Sequence, residues 1–503
     1  MMSKSKHSFL LALGGIAVLF LLVVAKWAMA ELWYDEILSL ELFVLGANSL
    51  GEVFSNYVIA NNHFLSNGVE YVWMTLLGRD MLGSELLVRL PSLVWGIATI
   101  LAAGLCWRRH CGKRAALGAA MMLAVSPVFC SFAWQMRGYS LAMLLACLAV
   151  TAGADALVKR NWRNQTVLGL ASLLLPMVMP TAVMLPLVVA LALATTELRT
   201  GTWRRAVKAV VAPVVGGLLG LSYYASVWNS VLKASQEAGG WTSFWCVLAG
   251  VFLPLALHCL CYLPLLPALW GNKLGAREEV SSSLSKLDLY AQGLLLASAV
   301  AVLAILLLRL PSGHFPFPRT FLVLLPAVTF AVAKARSRAV WLDSRMTFGR
   351  EILLLAAIGC MLIFITENVN SRALRHAHTQ QNLLTQYYKG KDDNRQLAAF
   401  LEEQCKENRL YLWLTPDIDG VTAEFYSRLY YHPESDVLVM PSIVPVGRFQ
   451  GTLAGIISDN VFISARNLEE AETMLAKIQP EGEHLRLEPL RQTEFRTLFA
   501  VKR

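Results

Sequence analysis

Long apolar runs recur along the first three quarters of the chain, and they restrict its fold more than any other feature. A helix needs about 20 mostly apolar residues to cross roughly 30 Å of hydrocarbon. Runs near or above that length lie at 9–29, 86–107, 115–133, 139–158, 208–229, 243–270, 289–309, 320–336 and 351–367. Because 56% of the 503 residues are hydrophobic and 16% are charged, we predict a multi-pass membrane protein.

One further run, 166–195, is too long for a single upright helix and contains Pro176, Pro180 and Pro186. Proline removes a backbone donor and interrupts helices. We therefore predict two short spans that turn near 179–181. With these two, the sequence predicts about eleven transmembrane helices.

Loop charge predicts the orientation, because loops rich in Lys and Arg stay in the cytoplasm. Basic clusters occur in every second loop, on the side of the N-terminus, at 108–114, 159–163, 199–208, 273–286 and 334–350. The net charge of +9 is thus a topology signal and not an argument for nucleic-acid binding. We predict an inner (plasma) membrane protein with an extracytoplasmic C-terminal tail, which is periplasmic in a Gram-negative cell.

The N-terminus allows two interpretations. Lys4 and Lys6, an apolar stretch and Ala28-Met29-Ala30 resemble a cleavable secretory signal. The apolar run continues through bulky residues to Lys26-Trp27, which favours a retained helix. The mass of the mature protein distinguishes them, since cleavage would leave Glu31 as the first residue.

Several kinds of site lack sequence support. The chain has no CxxC pair and no HExxH motif, so a zinc site is not indicated. It also has no GxxxxGK[ST] motif, so nucleotide hydrolysis is not indicated.

Polar residues that are not topology signals collect on the predicted outer face. Asp35 and Glu36 directly follow the first span, and ionised groups at a membrane boundary are costly unless solvated or used. His63, Arg137 and Arg319 fall on the same side. A carboxylate that withdraws a proton, together with guanidinium groups that stabilise a departing phosphate, can move a group from a phosphate to a nucleophile.

These residues lie in motifs that resemble a known family. The motifs are Trp33-Tyr34-Asp35-Glu36, Asn62-His63 before Tyr71-Val72-Trp73, Ser84-Glu85 before Arg89-Leu90-Pro91, Gln135-Met136-Arg137-Gly138-Tyr139, and Pro318-Arg319 before Leu325-Pro326. Their order and spacing over about 30–335 resemble the GT-C superfamily, membrane glycosyltransferases that use polyprenyl-phosphate sugars. Bacterial relatives of the protein O-mannosyltransferases are the most similar group.

The resemblance implies an inverting transfer of a hexose or pentose from a polyprenyl-phosphate donor in the bilayer to an extracytoplasmic acceptor. Asp35 would be the general base, and Arg137 and Arg319 would hold the donor phosphate. Glu36 would either raise the proton affinity of Asp35 or bind a divalent metal with it. No other cofactor is implied.

Two further residues would support the site. The resemblance implies that His63 positions donor or acceptor, and that Tyr139 orients Arg137 or lines the lipid groove. Each assignment has a structural alternative: a solvated boundary carboxylate for Asp35 or Glu36, and an arginine that reaches to headgroups for Arg89, Arg137 or Arg319.

The sequence also departs from the family pattern. Phe64-Leu65 follows His63 where relatives usually carry prolines, and Pro180-Thr181 stands where relatives often have a histidine. Thr320 replaces the tyrosine that commonly follows the late arginine. These differences concern the substrate pocket more than the reaction.

Two other classes of protein remain open. A transporter or lipid flippase predicts polar residues near the bilayer midplane and an inverted repeat. A glycan ligase would move a whole saccharide from a lipid carrier and would share the outer face and the arginines, but it does not need the early Asp-Glu loop.

The domain prediction has two parts. Residues 1–370 form an all-α, GT-C-like membrane domain with an outer loop at 30–85, and 371–503 form a small soluble α/β domain. In that domain the patterns predict strands at 410–414, 437–440 and 461–463 and helices at 393–406, 422–430 and 468–478. It would select the acceptor or cover the outer face.

Overall fold

The structure is a computed structural model, and its chain falls into two compact units. It describes residues 2–57, 62–78, 82–231, 243–270, 285–339, 342, 346–376, 394–404, 412–415, 422–423, 425–426, 442–445, 461–478, 485–493 and 496–502. The membrane unit comprises Met1–Ala28, Phe43–Leu76 and Val88–Tyr388. The composite unit comprises Met29–Leu42, Leu77–Leu87 and Lys389–Arg503. The composite unit therefore includes two short segments that precede residue 88 besides the tail.

Helices dominate the chain, and most of them belong to the membrane unit. They are α1 (Met2–Ala28), α2 (Tyr34–Ser39), α3 (Leu50–Ser55), α4 (Phe64–Leu77), α5 (Glu85–Val88), α6 (Leu90–Ala124), α7 (Pro127–Phe132), α8 (Tyr139–Val158), α9 (Trp162–Val178), α10 (Met184–Thr200), α11 (Trp203–Ser222), α12 (Phe244–Cys259), α13 (Lys286–Arg309), α14 (Leu325–Arg338), α15 (Phe348–His376), α16 (Asn394–Gln404) and α17 (Leu468–Ile478). Of the described residues, 8 helices are long and apolar enough to span a membrane, or up to 9 if α12 and the 3₁₀ helix Leu263–Trp270 form one bent span. The predicted polytopic all-α membrane domain is confirmed.

The predicted count of about eleven spans differs from this number for two physical reasons. Helix α9 has only 17 residues, which is short for a span. Helix α6 is counted once, although it consists of two helical segments that meet at a kink and lie in two predicted spans. Its helical geometry is interrupted at Gly112, where φ is 80° and ψ is 164°.

The apolar run at 166–195 turns where its prolines predict. Helix α9 ends at Val178, Met179 is extended, and a 3₁₀ helix at Pro180–Val183 leads into α10. This segment, here called the Pro180 turn (residues 178–183), carries a backbone carbonyl that contributes to the candidate site.

Helices α9 and α11 pack at close range, and small residues make this possible. A Cβ added at Gly216 would lie 2.3 Å from the carbonyl oxygen of Gly169, and one at Gly220 would lie 2.2 Å from that of Leu173. Both contacts are with backbone, which cannot rotate away as a side chain can. The GxxxG spacing therefore lets two backbones approach, as in many membrane helix pairs.

Alanine at Gly216 or Gly220 is expected to destabilise the membrane unit by about 1–3 kcal/mol, because α9 and α11 must separate to admit the methyl group. Thermal unfolding of the detergent-purified protein measures the effect. Gly15→Ala is the matched control, since a Cβ there meets nothing within 4 Å. Equal melting temperatures for all three variants would contradict the close packing.

A buried ion pair fixes α14 against α15. The guanidinium of Arg336 donates to both carboxylate oxygens of Glu351 at 2.6 and 2.7 Å, and the Tyr262 hydroxyl donates to the same carboxylate at 2.5 Å. Arg336 and Glu351 are both almost fully buried. Arg336, which belongs to the basic cluster at 334–350 that predicts the orientation, therefore also holds α14 against α15.

The described part of the composite unit contains a five-stranded mixed sheet. Its strands are β1 (Leu412–Thr415), β2 (Ser442–Pro445), β3 (Val461–Ala465), β4 (Arg486–Gln492) and β5 (Thr497–Lys502). The spatial order is β2-β1-β3-β5-β4, with β1 parallel to β2 and β3, and β5 antiparallel to β3 and β4. Apolar side chains of β1, β3 and β5 pack against α17 and form the core.

The predicted α/β character of the tail is confirmed. Helix α17 has the predicted bounds 468–478, and β1, β3 and α16 begin and end within two residues of their predicted bounds. The strand predicted at 437–440 lies outside the described residues. The β4–β5 hairpin was not predicted, because the exposed, charged strand Arg486–Gln492 lacks the apolar alternation that identifies a strand.

Candidate active site

Two predicted site residues of the membrane unit, His63 and Arg137, are in direct contact. Nη2 of Arg137 lies 3.1 Å from Nε2 of His63. Both residues are buried, with 4% of Arg137 and 6% of His63 exposed. The chain places His63 just before α4 and Arg137 just before α8, so two separate motifs meet at this contact.

The hydrogen-bond partners of His63 define its protonation. A guanidinium only donates hydrogen bonds, so Nε2 of His63 must be the acceptor. Nδ1 then carries the proton and donates to the carbonyl oxygen of Val178 at 3.2 Å. His63 is therefore a neutral imidazole that links Arg137 to the Pro180 turn.

Tyr139 completes the cluster on the membrane unit. The Arg137 guanidinium carbon lies 5.0 Å from the centre of the Tyr139 ring, a cation–π distance. The ring also packs against His63 and Phe132, with centroid separations of 5.8 and 5.0 Å. We call His63, Arg137 and Tyr139 the arginine cluster; it holds one guanidinium between an acceptor and an aromatic face.

The second predicted phosphate ligand, Arg319, lies in the 3₁₀ helix Pro318–Leu324. Its guanidinium carbon is 4.7 Å from the centre of the Phe317 ring, and the residue is half-buried. The 3₁₀ helix packs against both the Pro180 turn and α8. The fold thus brings the Arg319 segment beside α8, which begins at Tyr139, and beside the turn that contacts His63.

Arg89 has a structural contact. It is fully buried, and its Nη1 donates to the carbonyl oxygens of Trp27 and Ala28 at 3.2 and 3.1 Å. These carbonyls belong to the last two residues of α1, and the helix dipole favours a cation at this end. The guanidinium also stacks on Trp134, with 4.5 Å to the ring centre. Arg89 therefore caps the C-terminal end of α1, which leads into the segment that carries Asp35.

Asp35 and Glu36 belong to the composite unit, in the first turn of α2. Oε2 of Glu36 accepts the Trp33 N–H at 2.9 Å, and Glu36 is fully buried. The backbone carbonyl of Asp35 accepts the Ser39 hydroxyl at 2.9 Å, whereas the Asp35 residue is half-buried. The two carboxylates thus differ: Glu36 caps its own helix, and Asp35 is the more accessible.

The donor set does not fit a metal held by this pair. Among the described residues, no three His, Cys, Asp or Glu side chains are grouped closely enough to hold a metal ion. Glu36 is buried and already accepts a backbone N–H, so Asp35 and Glu36 do not present two open carboxylates.

Sequence reasoning missed a buried polar face on α4. His63, Ser66, Asn67 and Glu70 are spaced three or four residues apart and are all buried. Asn67 donates to the Asn62 side chain at 2.8 Å. The helical spacing of polar residues in an otherwise apolar segment was the available signal.

Fold and motifs together define the class, a polytopic membrane protein with the GT-C fold, and comparison with known proteins confirms it. Residues 71–228, about a third of the chain, match the model of the family described as dolichyl-phosphate-mannose-protein mannosyltransferase. The predicted resemblance to the GT-C superfamily is thereby confirmed. A search of curated protein sequences finds no match.

Two solved structures extend the similarity over nearly the whole chain. ArnT from Cupriavidus metallidurans in the apo state has a TM-score of 0.56 and 16% identity, over 99% of this chain and 98% of ArnT. The same protein bound to undecaprenyl phosphate has a TM-score of 0.51 and 17% identity, over 98% and 97% of the two chains. At this identity the likeness establishes the fold.

Proposed function

We propose that the protein is an inverting glycosyltransferase that moves a hexose or pentose from a polyprenyl-phosphate donor to an extracytoplasmic acceptor, which is a surface glycan, a lipid or a protein. The observation that carries this proposal is the arginine cluster. A buried guanidinium held by a neutral imidazole and an aromatic ring is suited to an anionic phosphate. The likeness to ArnT, whose structure was solved with undecaprenyl phosphate, supports a polyprenyl-phosphate donor.

The proposed reaction is a single displacement at the anomeric carbon. The acceptor oxygen forms its bond to that carbon while the bond from the carbon to the phosphate oxygen breaks. The Asp35 carboxylate takes the proton of the acceptor hydroxyl. The electron pair of the broken bond leaves with the phosphate, whose charge Arg137 and Arg319 stabilise. One displacement inverts the anomeric configuration.

The remaining predicted residues support these roles. His63 fixes the Arg137 guanidinium through Nε2, and Tyr139 packs against its face. Glu36 accepts the Trp33 N–H and so fixes the start of α2, the helix that carries Asp35. The distribution of basic loops supports an active face on the extracytoplasmic side of the inner membrane.

The assay uses the purified full-length protein in lipid nanodiscs with polyprenyl-phosphate hexose or pentose and candidate acceptors. We expect release of polyprenyl phosphate and a product of inverted anomeric configuration by NMR. A retained configuration would contradict the single displacement. In proteoliposomes, movement of intact donor between leaflets without polyprenyl phosphate release would indicate a flippase. Use of lipid-linked oligosaccharide only would indicate a ligase.

A further inference from the structure

A buried polar cluster within the composite unit joins the first outer loop to the soluble tail. We call it the loop anchor, and it consists of Glu31, Leu32, Glu85, Arg395 and Tyr426. Its members come from all three chain segments of that unit. None of its contacts takes part in the reaction proposed above, so their role needs a separate explanation.

The centre of the loop anchor is a directed chain of hydrogen bonds. The backbone N–H of Leu32 donates to the Tyr426 hydroxyl oxygen at 2.6 Å. That hydroxyl donates in turn to Oε1 of Glu85 at 3.3 Å. Leu32, Glu85 and Tyr426 are all buried. Because a phenol has one donor and can accept as well, Tyr426 satisfies a backbone donor of the loop and a carboxylate together.

Arg395 balances the buried charge of Glu85. Its Nη1 lies 2.6 Å from both carboxylate oxygens of Glu85, and its Nη2 donates to the Gly83 carbonyl oxygen at 3.2 Å. The Glu85 side chain is only 6% exposed. Removing the arginine would leave a buried carboxylate without this cation, which is strongly unfavourable.

Glu31 adds a second link from the loop to the tail. Its Oε1 accepts the backbone N–H of Arg395 at 2.9 Å, in the first turn of α16. N–H groups in that turn have no partner within the helix, and the helix dipole favours a carboxylate there. Arg395 therefore binds Glu85 with its side chain and Glu31 with its backbone.

The loop anchor holds the residues that directly precede α2, the helix that carries the proposed base Asp35. Leu32 N–H is held by the tail, and the next N–H, that of Trp33, is held by Glu36. The Trp33 carbonyl then accepts the N–H groups of Glu36 and Ile37 at 2.8 and 2.9 Å and starts α2. Helix α2 runs directly into a π-helix at Leu40–Leu45, and a helical segment of this length is only marginally stable alone, so contacts of its first residues help to fix its direction.

We infer that the soluble tail positions the Asp35 helix through the loop anchor, with Arg395 and Tyr426 as positioning residues for transfer. This inference rests on the proposed function for the role of Asp35. It gives the tail a part in the reaction that is distinct from selecting the acceptor.

The first test measures the loop itself, independently of activity. Hydrogen exchange of peptides covering 29–39 is followed by mass spectrometry in the full-length protein and in Tyr426→Phe and Arg395→Ala. Tyr426→Phe keeps the ring and removes only the hydroxyl. We expect exchange at least about tenfold faster in both variants. In Tyr426→Phe the buried Leu32 N–H loses its acceptor, and in Arg395→Ala the Glu85 carboxylate that holds Tyr426 loses its cation. Arg486→Ala, an exposed arginine on β4, is the control and should exchange as the wild type does. Unchanged exchange in both anchor variants would overturn the inference.

The second test separates positioning from binding. We expect kcat to fall about 10- to 100-fold in Tyr426→Phe and Arg395→Ala while the KM for the donor stays within about twofold, because the base is misplaced and the phosphate ligands are untouched. Arg395→Lys should restore part of kcat, since an ammonium can still pair with Glu85. Faster exchange with an unchanged kcat would overturn the positioning role. If the wild type transferred no sugar, the proposed function would fail, and the exchange result alone would still support or overturn the anchor.

Discussion

Replacing Asp35 by asparagine is expected to lower kcat for sugar transfer by about 10²- to 10⁴-fold, with the protein still folded. Asparagine has nearly the same shape but cannot take the acceptor proton at neutral pH. The contact of Asp35 with Ser39 uses its backbone carbonyl, which the substitution leaves in place. The measurement is the rate of polyprenyl phosphate release at saturating donor, with gel filtration to verify that the variant is monodisperse.

Glu36→Gln is the matched control for Asp35→Asn. Glutamine retains a side-chain oxygen that can accept the Trp33 N–H, so α2 should keep its start. We expect a much smaller loss of kcat than for Asp35→Asn, because Glu36 has a structural contact. If Asp35→Asn transferred sugar at the wild-type rate, the assignment of the base would be wrong. If Glu36→Gln were the more damaged variant, the roles of the two carboxylates would have to be exchanged.

Replacing Arg137 by glutamine is expected to reduce kcat/KM for the donor by about 10²- to 10³-fold, the range found when a charge-stabilising donor is removed. The loss should appear in kcat as well as in KM, because negative charge grows on the phosphate as the sugar leaves. Arg137→Lys should recover little, since a lysine does not reproduce the planar guanidinium that contacts His63 and stacks on Tyr139. Initial rates over a range of donor concentrations give both constants.

Two variants serve as comparisons for Arg137→Gln: His63→Asn removes a supporting contact, and Arg204→Gln removes an exposed arginine. His63 holds the guanidinium and is not proposed to touch the phosphate, so its loss should cost about tenfold, the value of one charged hydrogen bond. Arg204 is exposed at the start of α11, and its removal should leave the kinetics unchanged. A His63→Asn variant as impaired as Arg137→Gln would place His63 on the substrate.

Hydropathy and proline placement predicted the membrane unit well, because both act locally. The Pro180 turn could be located from three prolines in one apolar run, since proline limits where a helix can continue. The number of spans was harder to predict. Whether α6 counts as one helix or two depends on the backbone at Gly112, which no apolar pattern encodes.

The sequence predicted which segments contribute to the candidate site, but it did not predict the contacts between their side chains. Motif resemblance selected His63, Arg137 and Tyr139, but their contact depends on how α4, α8 and the Pro180 turn pack. The role of the Val178 carbonyl could not be predicted, because any residue can supply a backbone oxygen. The catalytic and binding roles of all six predicted residues remain predictions, and the variants above test four of them: Asp35, Glu36, Arg137 and His63.

The loop anchor lay beyond sequence reasoning for a different reason. Glu85 stands in a recognised motif, but its partners Arg395 and Tyr426 lie 310 and 341 residues away along the chain. Tyr426 sits in a helix predicted only from local periodicity, which says nothing about long-range partners. One sequence without relatives carries no signal that pairs positions so far apart.

The assembly of the composite unit from three chain segments limits how the tail can be engineered. A chimera that exchanged only 389–503 with a relative would remove Arg395, the partner of both Glu31 and Glu85. The buried Glu85 carboxylate would then lack its cation. A functional transplant should carry 29–42 and 77–87 together with the tail. Among homologous sequences, a change at the position of Arg395 or Tyr426 should likewise occur together with a compensating change at position 31 or 85.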